Sequence, residues 1–271
     1  MPAVVDRRPL HGEYNPAFSL CRTLELDESE IGKDSLKILI LQNCEYETLG
    51  TYERCLVDSG MTCDVVHTYQ ESLPDPQNYS MLLIGGTPDS AYDRSKVPYL
   101  AQVYETLTNA VNAKIPCFGV CCGAQLLAEI IGGRVYRNPE MEIGGYRVTL
   151  TPDGRGDPLL EGFPQKFPVF HWHGDTFDLP PQASLLARGE KCKNQLFRYG
   201  AVAGVQFHLE VTSTEARQWA IRYADELSHV GKSPEQVVAE CEDFESEMQD
   251  LAVRLMQNYL TLIETEARPF L

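Results

Sequence analysis

The sequence predicts an α/β fold in which an open, mostly parallel β-sheet is flanked by helices, with a C-terminal helical extension. Residues 36–133 alternate short apolar runs with amphipathic segments, the pattern of parallel strands joined by crossover helices. Residues 134–208 hold shorter strand-like runs separated by turns, which add an antiparallel portion. Residues 233–265 carry apolar side chains at three- and four-residue steps, as in a long amphipathic helix.

Each element follows from its own pattern of apolar residues and its bounding turns. Strands are predicted at 36–41, 63–67, 80–84, 115–120, 134–150, 167–173, 184–188, 195–199 and 202–208. Helices are predicted at 47–60, 97–112, 122–131, 213–227 and 233–265. This divides the chain into an N-terminal extension at 1–34, an α/β domain at 35–228 and a C-terminal helical extension at 229–271. We expect the apolar stripe of the last helix to pack on its own domain; a partner-docking helix is the alternative.

Composition narrows the possible functions of the 271 residues. The 39 acidic and 23 basic residues give a formal charge of -16, which argues against a nucleic-acid or anionic-membrane surface. No apolar run reaches the roughly 20 residues that span a bilayer, and the first residues lack the apolar core of a secretory signal. Nine cysteines without a CxxC pair favour a reducing compartment over disulfides or structural zinc. We therefore expect a cytoplasmic protein.

The most informative segment is residues 116–125, where a predicted strand turns sharply into a helix with a cysteine at the turn. Gly119 and Gly123 flank Cys121 at two residues on each side, the arrangement of a nucleophile elbow. A helix N-terminus behind the sulfur is expected to lower the thiol pKa, and the next backbone N–H can face a developing oxyanion. A buried structural cysteine in a glycine-rich turn is the alternative interpretation of the motif. Cys122 is expected to belong to the core or the rim.

A cysteine nucleophile needs a base, and the base needs a group that orients it. The apolar run at 202–207 ends at His208, and Glu210 follows two residues later. At strand-like spacing both side chains lie on one side of the chain, so the carboxylate can hold one imidazole nitrogen while the other faces the thiol. Taken alone, the pair is more typical of a surface histidine beside a solvated glutamate.

These motifs together resemble those of class I glutamine amidotransferases. Residues 119–125 resemble the family's GxCxGxQ, residues 205–210 its Q-F-H-x-E, and residues 85–93 its oxyanion loop, one residue out of register with the commonest form. The HWHGD and NQLFRYG segments resemble stand-alone members related to the amidotransferase half of GMP synthase. The resemblance implies that particular residues act together. It implies a triad of Cys121, His208 and Glu210, oxyanion stabilisation by the N–H groups of Gly86 and Cys122, substrate-binding roles for Gln125 and His173, and no metal or organic cofactor.

His171 and His173 alternate on a predicted strand, so both side chains face one way and could bind a metal ion. The HGD context favours a place in the wall or rim of the active site instead. We therefore predict no metal site from the sequence.

The resemblance implies hydrolysis of the glutamine side-chain amide through a γ-glutamyl thioester. Only about 44 residues follow position 227, fewer than a synthase domain needs, and no P-loop is present. The first hypothesis is a glutaminase that supplies ammonia to a separate synthase. One alternative is a self-sufficient hydrolase of γ-glutamyl amides or peptides. The other is a catalytically silent binding module with the same fold, which the complete set of triad residues disfavours.

Overall fold

The computed structural model describes residues 36–267, so the predicted extension at 1–34 lies outside the described residues. The described chain contains a sheet whose strands have the following bounds. They are β1 (Lys37–Gln42), β2 (Thr62–His67), β3 (Met81–Ile84), β4 (Cys117–Val120), β5 (Arg134–Leu150), β6 (Lys166–Asp178), β7 (Ser184–Arg188), β8 (Leu196–Tyr199) and β9 (Val202–Val205).

The strands lie in the order β2-β1-β3-β4-β9-β8-β7-β5-β6. The pairs from β2 through β9 are parallel, and those from β9 through β6 are antiparallel. The predicted α/β class with an open sheet is confirmed. The antiparallel part is larger than a mostly parallel sheet would have, because the pairs β9-β8, β8-β7, β7-β5 and β5-β6 are all antiparallel. Strand β5 has its predicted bounds, whereas β6 continues past the predicted end at 173 to Asp178.

Helices cover both faces of the sheet. They are α1 (Gly50–Asp58), α2 (Pro98–Asn112), α3 (Cys122–Ile130), α4 (Pro152–Gly156), α5 (Ser213–Arg222), α6 (Ala224–Leu227) and α7 (Pro234–Ala267). Successive residues of β1 alternate between the two cores: Ile38 and Ile40 pack with α1, α5 and α7, whereas Leu39 and Leu41 pack with α2 and α3. Burial on both faces explains why the parallel strands read as continuous apolar runs.

The prediction of one helix at 213–227 is wrong in one respect, because the structure has two helices there, α5 and α6. The capping box of Thr212 and Glu215 starts α5 as the sequence indicates. Tyr223 then leaves helical geometry with φ -107° and ψ 32°. Its hydroxyl donates a hydrogen bond to Glu47 Oε1 at 3.0 Å. The side chain therefore turns toward the C-terminal edge of the sheet.

The 34-residue helix α7 packs along α1, α5 and β5. Its buried stripe includes residues from Val237 to Ile263. Burial of each leucine or methionine side chain contributes about 1.5–3 kcal/mol to the free energy of folding. The Tyr259 hydroxyl donates to the Ala201 carbonyl at 2.6 Å. Within residues 36–267, the apolar stripe therefore packs against the protein's own elements.

Within residues 36–267, no helix combines the length and apolar character that crossing a membrane requires.

Candidate active site

The candidate site lies where adjacent parallel strands end at the same edge of the sheet. Glu47 follows β1, Gly86 follows β3, Cys121 follows β4 and His208 follows β9. In open α/β sheets, ligands bind in the crevice outside these carboxyl ends. The topology therefore brings together residues that are far apart in the sequence.

The backbone at Cys121 is held in an unusual conformation, with φ 53° and ψ -111°. A non-glycine residue in this region costs on the order of 1–3 kcal/mol. The two flanking glycines permit the turn: a Cβ at Gly119 would lie 2.5 Å from the Gly123 carbonyl, and one at Gly123 would lie 2.5 Å from the Ile84 carbonyl oxygen. The glycine spacing that predicts the elbow thus reflects close backbone packing on both sides of the cysteine.

His208 and Glu210 are almost fully buried and are bonded to each other. The His208 Nδ1–H donates to Glu210 Oε1 at 2.6 Å, and the Leu209 backbone N–H donates to Glu210 Oε2 at 3.0 Å. Strand β9 ends at Val205, so the expected strand at 202–208 is too long. The His208 backbone instead pairs with Phe170 of β6 through two hydrogen bonds. The bridge fixes the backbone at His208, and the bond from Nδ1 to Glu210 leaves Nε2 of the ring free of the carboxylate.

Hydrogen bonds connect the nucleophile candidate to the strand that carries the base candidate. The Cys121 backbone N–H donates to the Val205 carbonyl at 2.8 Å. Gln206 Nε2 donates to Cys121 Sγ at 3.7 Å, and Gln206 Oε1 accepts from Gln125 Nε2 at 3.1 Å. Gln125 therefore reaches the site through a buried amide pair that sequence analysis did not anticipate.

A cavity of about 290 Å³ opens in front of Cys121. This volume is at the small end of the roughly 300–1,000 Å³ typical of ligand pockets, so it suits a ligand of amino-acid size. Cys122, Gln125 and His173 are among the residues that line it. The wall also contains aromatic and charged side chains: Glu47, Asp89, Arg137, Trp172, Asp175, Trp219, Tyr223, Glu226 and His229.

The thiol of Cys121 is not activated in the way the sequence suggests. Burial raises its pKa well above the usual range, and the charge of Glu47 raises it further, while the Cys122 backbone N–H lowers it. Burial and the charge of Glu47 outweigh the hydrogen bond from the Cys122 N–H. Burial lowers the pKa of His208, but the charge and hydrogen bond of Glu210 raise it above its ordinary value.

Glu47 is the most important site residue that sequence analysis missed. A Cβ at Gly86 would lie 2.9 Å from Glu47 Oε2 and 3.3 Å from Cys121 Cβ, so the carboxyl group and the thiol border the same glycine. Burial raises the pKa of Glu47 to about 7, against the opposing charge of His208. Its position after β1 was an available signal, because the other candidates also follow parallel strands.

Replacing Glu47 by glutamine is expected to lower the pH midpoint for alkylation of Cys121 by about one unit, as expected for removal of a nearby like charge. The reason is that ionised Glu47, present above pH about 7, opposes the thiolate. Peptide-resolved mass spectrometry of iodoacetamide labelling across pH measures the midpoint. Glu226→Gln is the matched control, since Glu226 lines the same cavity but bonds to Trp172 Nε1. An unchanged midpoint in Glu47→Gln would refute the electrostatic coupling.

His173 lies in the cavity wall, and its ring is held on both sides. Its Nδ1–H donates to the Asp175 carbonyl at 2.9 Å, and Nε2 lies 3.1 Å from Glu142 Oε2. Trp219 and Tyr223 of the α5 region also enter the wall, although nothing in their sequence context marked them. Trp219 packs edge-on against His208 with ring centroids 5.1 Å apart.

A family model described as glutamine amidotransferase class-I matches residues 41–223. The chain belongs to this family. The match confirms the resemblance drawn from the sequence motifs. The matched part of this class I amidotransferase includes Glu47, Cys121, His208 and Glu210.

Relatives of this class I amidotransferase support the same assignment. It is 36% identical over 187 residues to the glutamine amidotransferase-like protein YfeJ of Salmonella typhimurium, covering 67% of this chain and 78% of that protein. It is 34% identical over 112 residues to a subunit of the glutamine-hydrolyzing GMP synthase of Pyrococcus abyssi, covering 40% of this chain and 58% of that one. A glutamine amidotransferase structure from Thermotoga maritima superposes with a TM-score of 0.76 at 32% identity, covering 84% of this chain and 99% of that one.

Proposed function

We propose that the protein hydrolyses the side-chain amide of glutamine, with Cys121 as nucleophile, His208 as base and Glu210 as the residue that orients the base. One observation carries the proposal: the strained Cys121 turn, which borders a small cavity, and the bonded His208–Glu210 pair follow the adjacent parallel strands β4 and β9. A structural cysteine has no need of a turn that costs on the order of 1–3 kcal/mol.

The first half of the reaction forms a γ-glutamyl thioester. Cys121 Sγ attacks the side-chain carbonyl carbon of glutamine while its proton passes to His208 Nε2. The bond of His208 Nδ1 to Glu210 keeps Nε2 as the proton acceptor and stabilises the imidazolium that forms. The carbon–nitrogen bond then breaks as His208 returns the proton to the departing ammonia.

The second half releases glutamate. A water molecule takes the place of ammonia and loses a proton to His208 as it attacks the thioester carbonyl. Collapse of the tetrahedral species breaks the carbon–sulfur bond, and the proton returns to Cys121. The N–H groups of Gly86 and Cys122 are proposed to stabilise the oxyanion in both halves, because both residues border Cys121.

The cavity wall is complementary to an amino-acid substrate. Carboxylates from Glu47, Asp89 and Glu226 offer acceptors for the α-ammonium group of glutamine, and Arg137 offers a cation for the α-carboxylate. Gln125 and His173 are proposed to position the substrate from the wall.

We propose further that the released ammonia serves a separate synthase. The relative from Pyrococcus abyssi is named as one subunit of a glutamine-hydrolyzing GMP synthase, which supports a division of the work between chains. Regulation of the nucleophile is consistent with this site, because burial and the charge of Glu47 raise the pKa of the Cys121 thiol. A partner that moves Glu47 away from Gly86 would activate the nucleophile.

Steady-state kinetics on the isolated protein test this function. We expect slow release of glutamate from glutamine, stimulated about 10-fold or more by the cognate synthase with its substrate, within the usual range of coupling between sites. The Cys121→Ser protein measures the background rate.

The same assay separates the alternatives. Efficient turnover of a γ-glutamyl amide or peptide, with glutamine a poor substrate, would replace the proposal with a self-sufficient γ-glutamyl hydrolase. Binding of glutamine without turnover of any γ-glutamyl compound, alone or with synthases, would identify a silent binding module.

A further inference from the structure

Three potential ligands lie on one face of the β5–β6 hairpin, behind the cavity wall. Glu142 pairs directly opposite His173, and Gly144 pairs opposite His171, so the two histidines and the carboxylate project from the same side. The pairing resumes at Glu142 after the register shift that follows Arg137. The hairpin geometry therefore concentrates these side chains at an irregular point of the sheet.

The contacts of His173 imply a cation beside Glu142. Because the Asp175 carbonyl can only accept, His173 Nδ1 must carry a proton at their 2.9 Å contact. In the neutral ring, Nε2 then presents a lone pair to Glu142 Oε2 only 3.1 Å away. Two acceptors this close require a positive species between them, either a proton or a metal ion.

His171 distinguishes the two possibilities. Its side chain is fully buried, yet neither ring nitrogen has a hydrogen-bond partner among the described residues. A proton shared by His173 and Glu142 would leave that deficit in place, and an unsatisfied buried polar group costs about 1–3 kcal/mol. His171 Nε2 lies 3.8 Å from the same Glu142 oxygen. A metal ion would coordinate one nitrogen of His171 together with His173 and Glu142, which removes half of that deficit.

We propose that Glu142, His171 and His173 bind one divalent metal ion of the zinc class. Their ligand atoms all lie within 4.8 Å of one another. Ligands about 2.0–2.1 Å from a tetrahedral zinc ion are about 3.3 Å apart, so the side chains need only small movements. Two histidines with one glutamate form a donor set that zinc accepts, with water as the fourth ligand.

Surrounding groups hold two of the three ligands, His173 and Glu142, by hydrogen bonds. The Asp175 carbonyl fixes the tautomer of His173, and Gln195 Nε2 donates to Glu142 Oε2 at 3.1 Å. Such outer contacts are typical of metal-binding histidines and carboxylates. Lys232, whose charge reaches His171, is paired with Glu240 at 2.7 Å. Since His173 also lines the cavity, an ion can enter from there and stiffen the wall.

Metal titration tests the site independently of glutamine hydrolysis. The Cys121→Ser protein is used so that the thiol cannot bind the ion. After metal removal, it is titrated with Zn²⁺ against a chromophoric chelator. We expect one tightly bound ion per chain. In the protein that carries both Cys121→Ser and His171→Gln, we expect the affinity for Zn²⁺ to fall by about 100-fold or more, because loss of a ligand should cost at least as much as loss of a hydrogen bond to a ligand. His229→Gln, which alters another cavity histidine, should bind as before.

Cobalt provides a second measurement. Co²⁺ in the Cys121→Ser protein should give the visible absorption of a four-coordinate nitrogen and oxygen site, without a thiolate charge-transfer band. Absence of stoichiometric binding, unchanged affinity in His171→Gln or a thiolate band would each overturn the proposal. If circular dichroism shows that His171→Gln does not fold, Glu142→Gln makes the same comparison, and if neither folds the cobalt spectrum decides.

Discussion

Replacing Cys121 by serine is expected to lower kcat for glutamine hydrolysis by about 10⁴-fold or more, the scale of losses when a nucleophile is removed. A serine hydroxyl at this position holds its proton more tightly than a thiol. The buried site and Glu47 already oppose the anion even for the thiol. The elbow backbone and the cavity should stay intact, so glutamine binding, measured by calorimetry, should change little.

Cys122→Ser is the matched control, because its side chain is one residue further along the chain and equally buried. We expect it to keep most of the activity. A diazoketone analogue of glutamine should label Cys121 alone, as read by mass spectrometry. If Cys122 in the Cys121→Ser protein were labelled as fast as the wild-type protein is, the assignment of Cys121 as the nucleophile would be wrong.

His208→Asn is expected to cause the second-largest loss, about 10²–10⁴-fold in kcat, which is the usual contribution of general acid–base catalysis. Asparagine cannot accept the proton of Cys121 or return it to ammonia. Glutamate release at saturating glutamine measures the effect, and near-normal turnover would refute the base assignment.

Glu210→Gln serves as the graded comparison for His208→Asn. The substitution removes the carboxylate that sets the tautomer of His208 but leaves the imidazole in place. The loss in kcat should therefore be roughly 10–100-fold smaller than in His208→Asn, with KM almost unchanged. A large rise in KM would indicate instead that Glu210 shapes the cavity.

The motifs could be found in the sequence because each is a local arrangement that depends on backbone constraints. The glycines at 119 and 123 are required by contacts of 2.5 Å, and such requirements leave the same residue types at the same spacing. The parallel strands were similarly visible, since burial on both faces demands unbroken apolar runs. The break at Tyr223 was not visible, because it follows from a contact with Glu47, which is 176 positions away.

The sequence by itself determined the α/β class, the nucleophile elbow and the His208–Glu210 pair, because these depend on neighbours within a few residues. Only the tertiary structure decided that Glu47 borders Cys121 and that Glu142 faces two histidines. Those placements follow from which strands end at one edge and which residues pair across a hairpin. The pKa of a buried group likewise depends on charges and desolvation supplied by the whole fold. The pKa of the cysteine that the local sequence marks as an activated thiol is therefore raised by burial and by a carboxyl group that lies distant in the sequence.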